Sequence, residues 1–321
     1  MSLYYRLKLG TSFNYRQIKM LQLLLNSGAD PFLSVATEDG PVLCPFISGV
    51  LANNVPATEL MLEHAAKWGI NMSEKLVAIT KEHKSSVTQL CIQKCCNLVV
   101  DWLLSYGFCT VDEVCLHHDR VVSIISYAAA QGDPASIRVL LKHGANLYST
   151  HDVNGPLPFT RALLQNSNLT TAELLLPKSK QERHRIFTIQ NHRGYICFGT
   201  ILNAVLNQNR GLISIEAIDF LRDAGAMEFI VHPKENRNIF DVYFSHISRG
   251  GDRRDLSSFD SATLAILLEA FHNPEQINAR IKDTGMTLLQ VTVWRADRRA
   301  VELLLQYRKL QINATTDNED Y

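Results

Sequence analysis

An apolar triplet spaced i, i+3, i+4 recurs eight times along the 321 residues, and nothing else in the chain limits its fold as strongly. It stands as Leu21/Leu24/Leu25, Leu62/Ala65/Ala66, Val100/Leu103/Leu104, Ile137/Leu140/Leu141, Ala172/Leu175/Leu176, Ile218/Leu221/Arg222, Leu264/Leu267/Leu268 and Val301/Leu304/Leu305. That spacing gathers the three side chains on one face of a helix. Successive first members lie 35 to 46 residues apart, and in five units the residue seven further on is glycine: Gly28, Gly69, Gly107, Gly144 and Gly225. Glycine accepts the positive φ through which helices often end.

The stretch from Asp119 to Leu147 predicts a whole unit. A first helix over Ser123 to Gln131 ends at Gly132-Asp133-Pro134, and a second runs from Ala135 to His143 before Gly144. Proline fits a helix start and cannot continue the helix before it. A hairpin of about thirty residues cannot bury its apolar stripe alone, so neighbours of the same shape are required.

The ends Leu24-Leu25-Asn26-Ser27-Gly28-Ala29-Asp30 and Leu140-Leu141-Lys142-His143-Gly144-Ala145-Asn146 resemble those of ankyrin repeats. The openings Gly285-Met286-Thr287-Leu288-Leu289 and Gly199-Thr200-Ile201-Leu202 are similar to the GxTPLH start of the family's first helix, and Cys44-Pro45-Phe46 stands at its Thr-Pro-Leu. No full TPLH occurs, and Ser179, Phe271 and Arg308 replace the closing glycine in three units. The resemblance implies an all-α ankyrin-repeat solenoid of about eight helix-turn-helix units with short finger loops. It implies one domain over residues 1–321, with units near 1–33, 34–73, 74–112, 113–150, 151–185, 186–231, 232–278 and 279–314 and a tail at 315–321.

Within that frame, Ser73 to Ser86 reads as a charged, helix-compatible connector. The run Lys178 to Arg185 after Pro177 reads as a solvated loop between repeats. Insertions at Asn209-Arg210-Gly211 and Arg249 to Asp255 lengthen the sixth and seventh units, and the tail Asp317 to Tyr321 is acidic. Trp102, beside the stripe residue Leu103, is expected to pack.

Lys and Arg total 32 against 32 Asp and Glu, so the balance asks for neither nucleic acid nor an anionic membrane as partner. No apolar run reaches the length of a membrane span or forms a signal-peptide core. Seven cysteines, odd in number and unevenly spaced, fit reduced thiols in an intracellular, cytoplasmic or nuclear protein.

No signature of a nucleotide-binding loop, a zinc protease or a nucleophile elbow occurs, and no cofactor or metal is expected. His118, His151, Asp152 and His192 all fall at expected finger positions. Stacked, they would supply imidazoles for proton transfer or ligation in an enzyme or small-molecule pocket. The plainer expectation is polar, exposed finger tips. Cys91 and Cys95, one turn apart, would offer thiolates to zinc with His117 if they shared a face, whereas buried helix cysteines pack as apolar residues. The resemblance itself implies a monomeric protein-binding module whose partner lies on the concave face. The candidate contacts are Asp119, Arg120, Gln131, Asn154, Gln165, Asn207, Gln208, Trp294 and Arg295; the last two are of the types favoured as anchors, and packing of Trp294 between the last two repeats is an equal expectation.

Overall fold

In a computed structural model, the described residues are 15–37, 40–118, 120–149, 156–166, 169–188, 215–226, 240–241, 261–270, 273–281 and 284–315. The chain divides into two compact units, Met1–Asp152 and Val153–Tyr321.

The first unit is built from helix hairpins. Helix α1 spans Tyr15–Asn26; α2 (Pro45–Leu51) pairs with α3 (Val55–Lys67); α5 (Val87–Gln93) pairs with α6 (Asn97–Ser105); α7 (Ile124–Gln131) pairs with α8 (Pro134–Lys142). First helices pack in the row α2, α5, α7 and second helices in the row α1, α3, α6, α8, giving two layers with the core between them. The connector after the second hairpin is helical, α4 (Met72–His83), and touches both α3 and α5. The fingers are antiparallel ribbons: β1 (Val35–Thr37) with β2 (Gly40–Leu43), and β3 (Val114–His117) with β4 (Arg120–Ser123).

Each first helix starts on a small side chain that caps its exposed N–H groups. Cys44 Sγ accepts from the Ile47 N–H at 3.5 Å, Ser86 Oγ from Gln89 at 3.0 Å and Ser123 Oγ from Ser126 at 3.3 Å. These residues stand where the ankyrin pattern has threonine.

Between the two helices of a hairpin, one residue adopts a left-handed conformation and the next stands at the cap position of the second helix. Asn53, Cys95 and Gly132 take φ of 51°, 55° and 68°, and are followed by Asn54, Cys96 and Asp133. The closing glycines 28, 69, 107 and 144 also have positive φ, as expected. At each, the following N–H reaches back five residues to the helix, as from Ala29 to Leu24 O and from Ala145 to Leu140 O, which is the Schellman closure.

In α3, α6 and α8 the buried stripe is displaced from the apolar triplets by one residue. Met61/Leu62/Ala65, Val99/Val100/Leu103 and Ser136/Ile137/Leu140 are all buried, whereas the third members Leu104 and Leu141 are half-buried and Ala66 is exposed. Helix side chains lean toward the N-terminus, which shifts the covered surface that way. Ser136 is tolerated inside because its hydroxyl donates to Asp133 Oδ2 at 2.5 Å.

The second unit repeats the motif. Helix α9 (Pro158–Asn166) pairs with α10 (Leu169–Leu175), and Thr171/Ala172/Leu175 form the buried stripe. The charged run expected to be a loop is instead helix α11 (Lys180–Thr188): its polar residues face water while Ile186 and Phe187 are fully buried and anchor it. Helices α12 (Ile215–Asp223), α13 (Ser261–Ala270) and α16 (Arg298–Leu304) pack in sequence, and α15 (Leu288–Trp294) pairs with α16. The short α14 (Pro274–Ile277) lies between α13 and α15 in the chain. Thr287 and Gln290 form a reciprocal capping box at the start of α15, and Ala296 (φ 57°) with Asp297 makes the same inter-helix turn as in the first unit. The insertions at 209–211 and 249–255 and the tail 317–321 lie outside the described residues.

Candidate functional site

In the first unit, the inner helices α2, α5 and α7 contain no charged residue at all. Their hydrophobic sides are consumed by packing, which leaves Gln93 and Gln131 exposed at the ends of α5 and α7. The β3–β4 finger projects beside α7. Cys115 and Val122, paired across the ribbon, are buried, while Leu116 and Val121, the next pair, are 57% and 45% exposed. Gln89 Nε2 donates to Leu116 O at 2.8 Å, tying the finger to α5. Arg120 is exposed and lies opposite His117 in the ribbon.

His118 occupies the finger turn with φ of 49°, exposed, its ring 4.2 Å from that of His117. The His117 ring meets Tyr127 edge-on at 5.3 Å, and burial pushes the Tyr127 phenol up. His151, Asp152 and His192 lie outside the described residues, as do Asp119, Asn154, Asn207 and Gln208. Gln165 is in α9, and its side chain is likewise outside them. Among the expected contacts the structure therefore brings together two groups: Arg120 with the histidine pair, and Trp294 with Arg295. Trp294, the last residue of α15, is 64% exposed rather than packed into the repeat stack, and Arg295 caps the helix half-buried.

Cys44, Cys91, Cys96 and Cys115 are buried as core residues. Cys91 is buried and Cys95 is exposed in the left-handed turn, so the two do not share a face. Helical phase explains this: Cys95 lies beyond the end of α5, where the chain reverses. Burial pushes the Cys91 thiol well up and that of Cys109 to about 11. Among the described residues, no group of three His, Cys, Asp or Glu side chains is placed to hold a metal ion.

In the second unit, a feature absent from the sequence expectations is a cavity of about 240 Å³ between α14 and the turn that follows α16. Arg308, at a position where five of the other units have glycine, marks the turn in the sequence but not the cavity beneath it. Trp68 and Tyr106, each 62% exposed beside His64 and Trp102, form a second set that the triplet pattern did not single out. The four occupy matching places, two and six residues after Leu62 and Val100.

Stacked helix hairpins with capped, left-handed turns and projecting ribbons are the ankyrin-repeat fold, and this chain has it. Among solved structures, it is similar to the ankyrin repeat domain of Bcl-3, described as a unique member of the IkappaB protein family. The TM-score is 0.53 at 16% identity, covering 84% of this chain and 100% of that one. No protein-family model matches the chain, and no curated protein does. Among the described residues, no helix is long and apolar enough to cross a membrane.

Proposed function

We propose that this chain is a protein-interaction module that recognises its partner with finger and inner-helix side chains. The observation carrying this reading is Trp294, 64% exposed at the end of an inner helix with Arg295 beside it. An exposed indole leaves a large apolar surface in water, and tryptophan and arginine are both enriched among binding anchors. In the first unit, Arg120, Gln131 and the exposed Leu116 and Val121 offer a second set of contacts, with Asp119 of the same finger, and Asn154, Gln165, Asn207 and Gln208 belong to the same expected series. The buried, protonated thiols suit a reducing intracellular setting, and the module is expected to act as a monomer.

The test is affinity capture from cells with the native chain and with a Trp294→Ala/Arg295→Ala chain, compared by quantitative mass spectrometry. Proteins held by the native chain should be depleted at least about tenfold with the variant, the scale of an anchor truncation. The melt of a Trp294→Ala chain should coincide with the native one, because the indole is largely outside the fold, and the half-buried Arg295 accounts for any further shift in the double variant. Unchanged capture would remove the assignment of this pair.

A further inference from the structure

The turn after α16 departs from the other second-helix turns of the chain. Where glycine stands, the next residue reaches back to the helix and is half-buried or buried: Ile70 to Ala65 O, Phe108 to Leu103 O, Ala145 to Leu140 O. Here Arg308 replaces glycine and Lys309 follows it, both exposed, and the chain closes through Tyr307 N–H to Leu304 O and Leu310 N–H to Tyr307 O. Among the described residues, neither cation forms a salt bridge.

The cavity lies under this turn. Pro274, Ile277, Tyr307 and Leu310 give it an apolar lining, and Arg308 and Lys309 border it with no carboxylate among the lining groups. Glu269 acts on the Tyr307 phenol from α13, adding to the upward push of burial, and does not line the cavity. Asn278 fixes the walls to each other. Its Nδ2 donates to Pro274 O at 2.9 Å and to Lys309 O at 2.8 Å, while its Oδ1 accepts from the Gln311 N–H at 2.8 Å. The space is therefore held open by bonds across it rather than by the accident of one rotamer.

At about 240 Å³ the cavity is smaller than the roughly 300–1,000 Å³ typical of small-molecule sites, and it matches a single large side chain better. The bordering charge decides which kind of segment carries that side chain. A basic neighbour would be repelled by two cations that lie close together, and an acidic one would be drawn in.

We propose that this cavity receives an apolar side chain, such as leucine or phenylalanine, from a partner protein segment in which acidic residues flank that anchor. It is a site separate from the finger and inner-helix contacts, since neither Trp294 nor Arg295 lines it.

The experiment is fluorescence anisotropy on the full chain, with a labelled synthetic peptide Glu-Glu-Leu-Phe-Glu-Glu as probe. Saturable binding is expected. Replacing Leu-Phe in the peptide with Ala-Ala, or Arg308→Glu with Lys309→Glu in the protein, should each weaken it at least about tenfold. The protein variant keeps its melting curve because both side chains are exposed. A Trp294→Ala/Arg295→Ala chain should bind the peptide as the native chain does, which keeps failure of this site distinct from failure of the proposed function. No binding, or equal binding by the charge-reversed chain, would overturn the proposal. So would full binding of the Ala-Ala peptide, which would reduce the contact to charge alone. Marked tightening in a chain ending at Thr315 would overturn it too, because the tail with Asp317, Glu319 and Asp320 would then be the occupant in place of a partner.

Discussion

Hairpins α5–α6 and α7–α8 turn through the same left-handed residue and stand next to each other, yet one is closed by its own residues and the other borrows from a neighbour. In α7–α8, Gly132 takes the positive φ without steric cost, and Asp133 caps α8 through the Ala135 N–H at 3.0 Å. In α5–α6, Cys95 takes the same conformation against its Cβ, and Cys96 at the cap position makes no side-chain capping bond. The missing acceptor comes from the preceding hairpin: Asn53 Oδ1 receives the N–H groups of Leu98 at 3.1 Å and Val99 at 3.2 Å. Cys96 then donates its thiol to Leu51 O at 3.4 Å, a second tie in the same direction. A hairpin with weak local signals can therefore be as well formed as one with strong signals, provided that its neighbour is in place. This is the coupling between adjacent units that lets repeat proteins unfold together.

The largest effect should come from removing the borrowed acceptor. Asn53→Ala loses both bonds to α6 and leaves an alanine in the left-handed region, so a loss of about 2–3 kcal/mol in unfolding free energy is expected. Asn53→Gly keeps the backbone at ease and loses only the bonds, so about 1–2 kcal/mol is expected. Chemical denaturation of the two chains separates the contributions, and equal, near-zero losses would show that α6 does not depend on its neighbour. In the self-closed hairpin, Gly132→Ala should cost about 1–2 kcal/mol through its left-handed φ, and Asp133→Ala about 2 kcal/mol, because it removes both the cap and the acceptor of the buried Ser136 hydroxyl.

The same contrast explains what could be read from the residues beforehand. Closing glycines and apolar triplets are local signals, and they located the second helices: the stop expected at Gly28 is observed, with α1 ending at Asn26. Burial is not local. Ser136 is fully buried and was invisible to a pattern of apolar residues, because a hydroxyl can enter the core once a partner, here Asp133, is supplied. Helix α11 reads as a polar run except for Ile186 and Phe187, and only the surface they bury against makes it a helix. Among the candidate contacts, Arg120, Gln131 and Trp294 are exposed, but for Trp294 the residues alone allow packing between the last two repeats equally well, because exposure of an indole at a helix end depends on what neighbours it. The cavity beneath Arg308 was not legible, since it depends on Asn278 bonding to a backbone more than thirty residues away.

A smaller effect of opposite sign tests whether Cys95 is strained in its turn. Cys95→Gly relieves the Cβ clash at φ 55°, while it adds freedom to the unfolded chain, so a net gain of no more than about 0.5–1 kcal/mol is expected. Cys95 is exposed and contributes no core packing, which keeps the measurement clean. A loss on Cys95→Gly would mean that the turn of α5–α6 favours a side chain there and that the two hairpins differ more than their backbone suggests.

The smallest effect concerns the bond that joins the two hairpins. Asp101 on α6 accepts from Lys142 Nζ at 2.9 Å and lies 2.7 Å from His143 Nε2, both at the end of α8. The hydrogen bond from Lys142, then that from His143, holds the Asp101 carboxyl below the usual carboxylate range. A lowered folded-state pKa means that this contribution is fully present above the unfolded value of about 3.9 and is lost as pH falls through the lower folded value. The side chain is about one-third exposed, so solvent screening limits the contribution to below about 1 kcal/mol. The difference in unfolding free energy between the native chain and Asp101→Asn should therefore be small and constant near neutrality and shrink toward pH 3. A difference that persists undiminished in acid would show that Asp101 couples the hairpins through packing rather than through its charge.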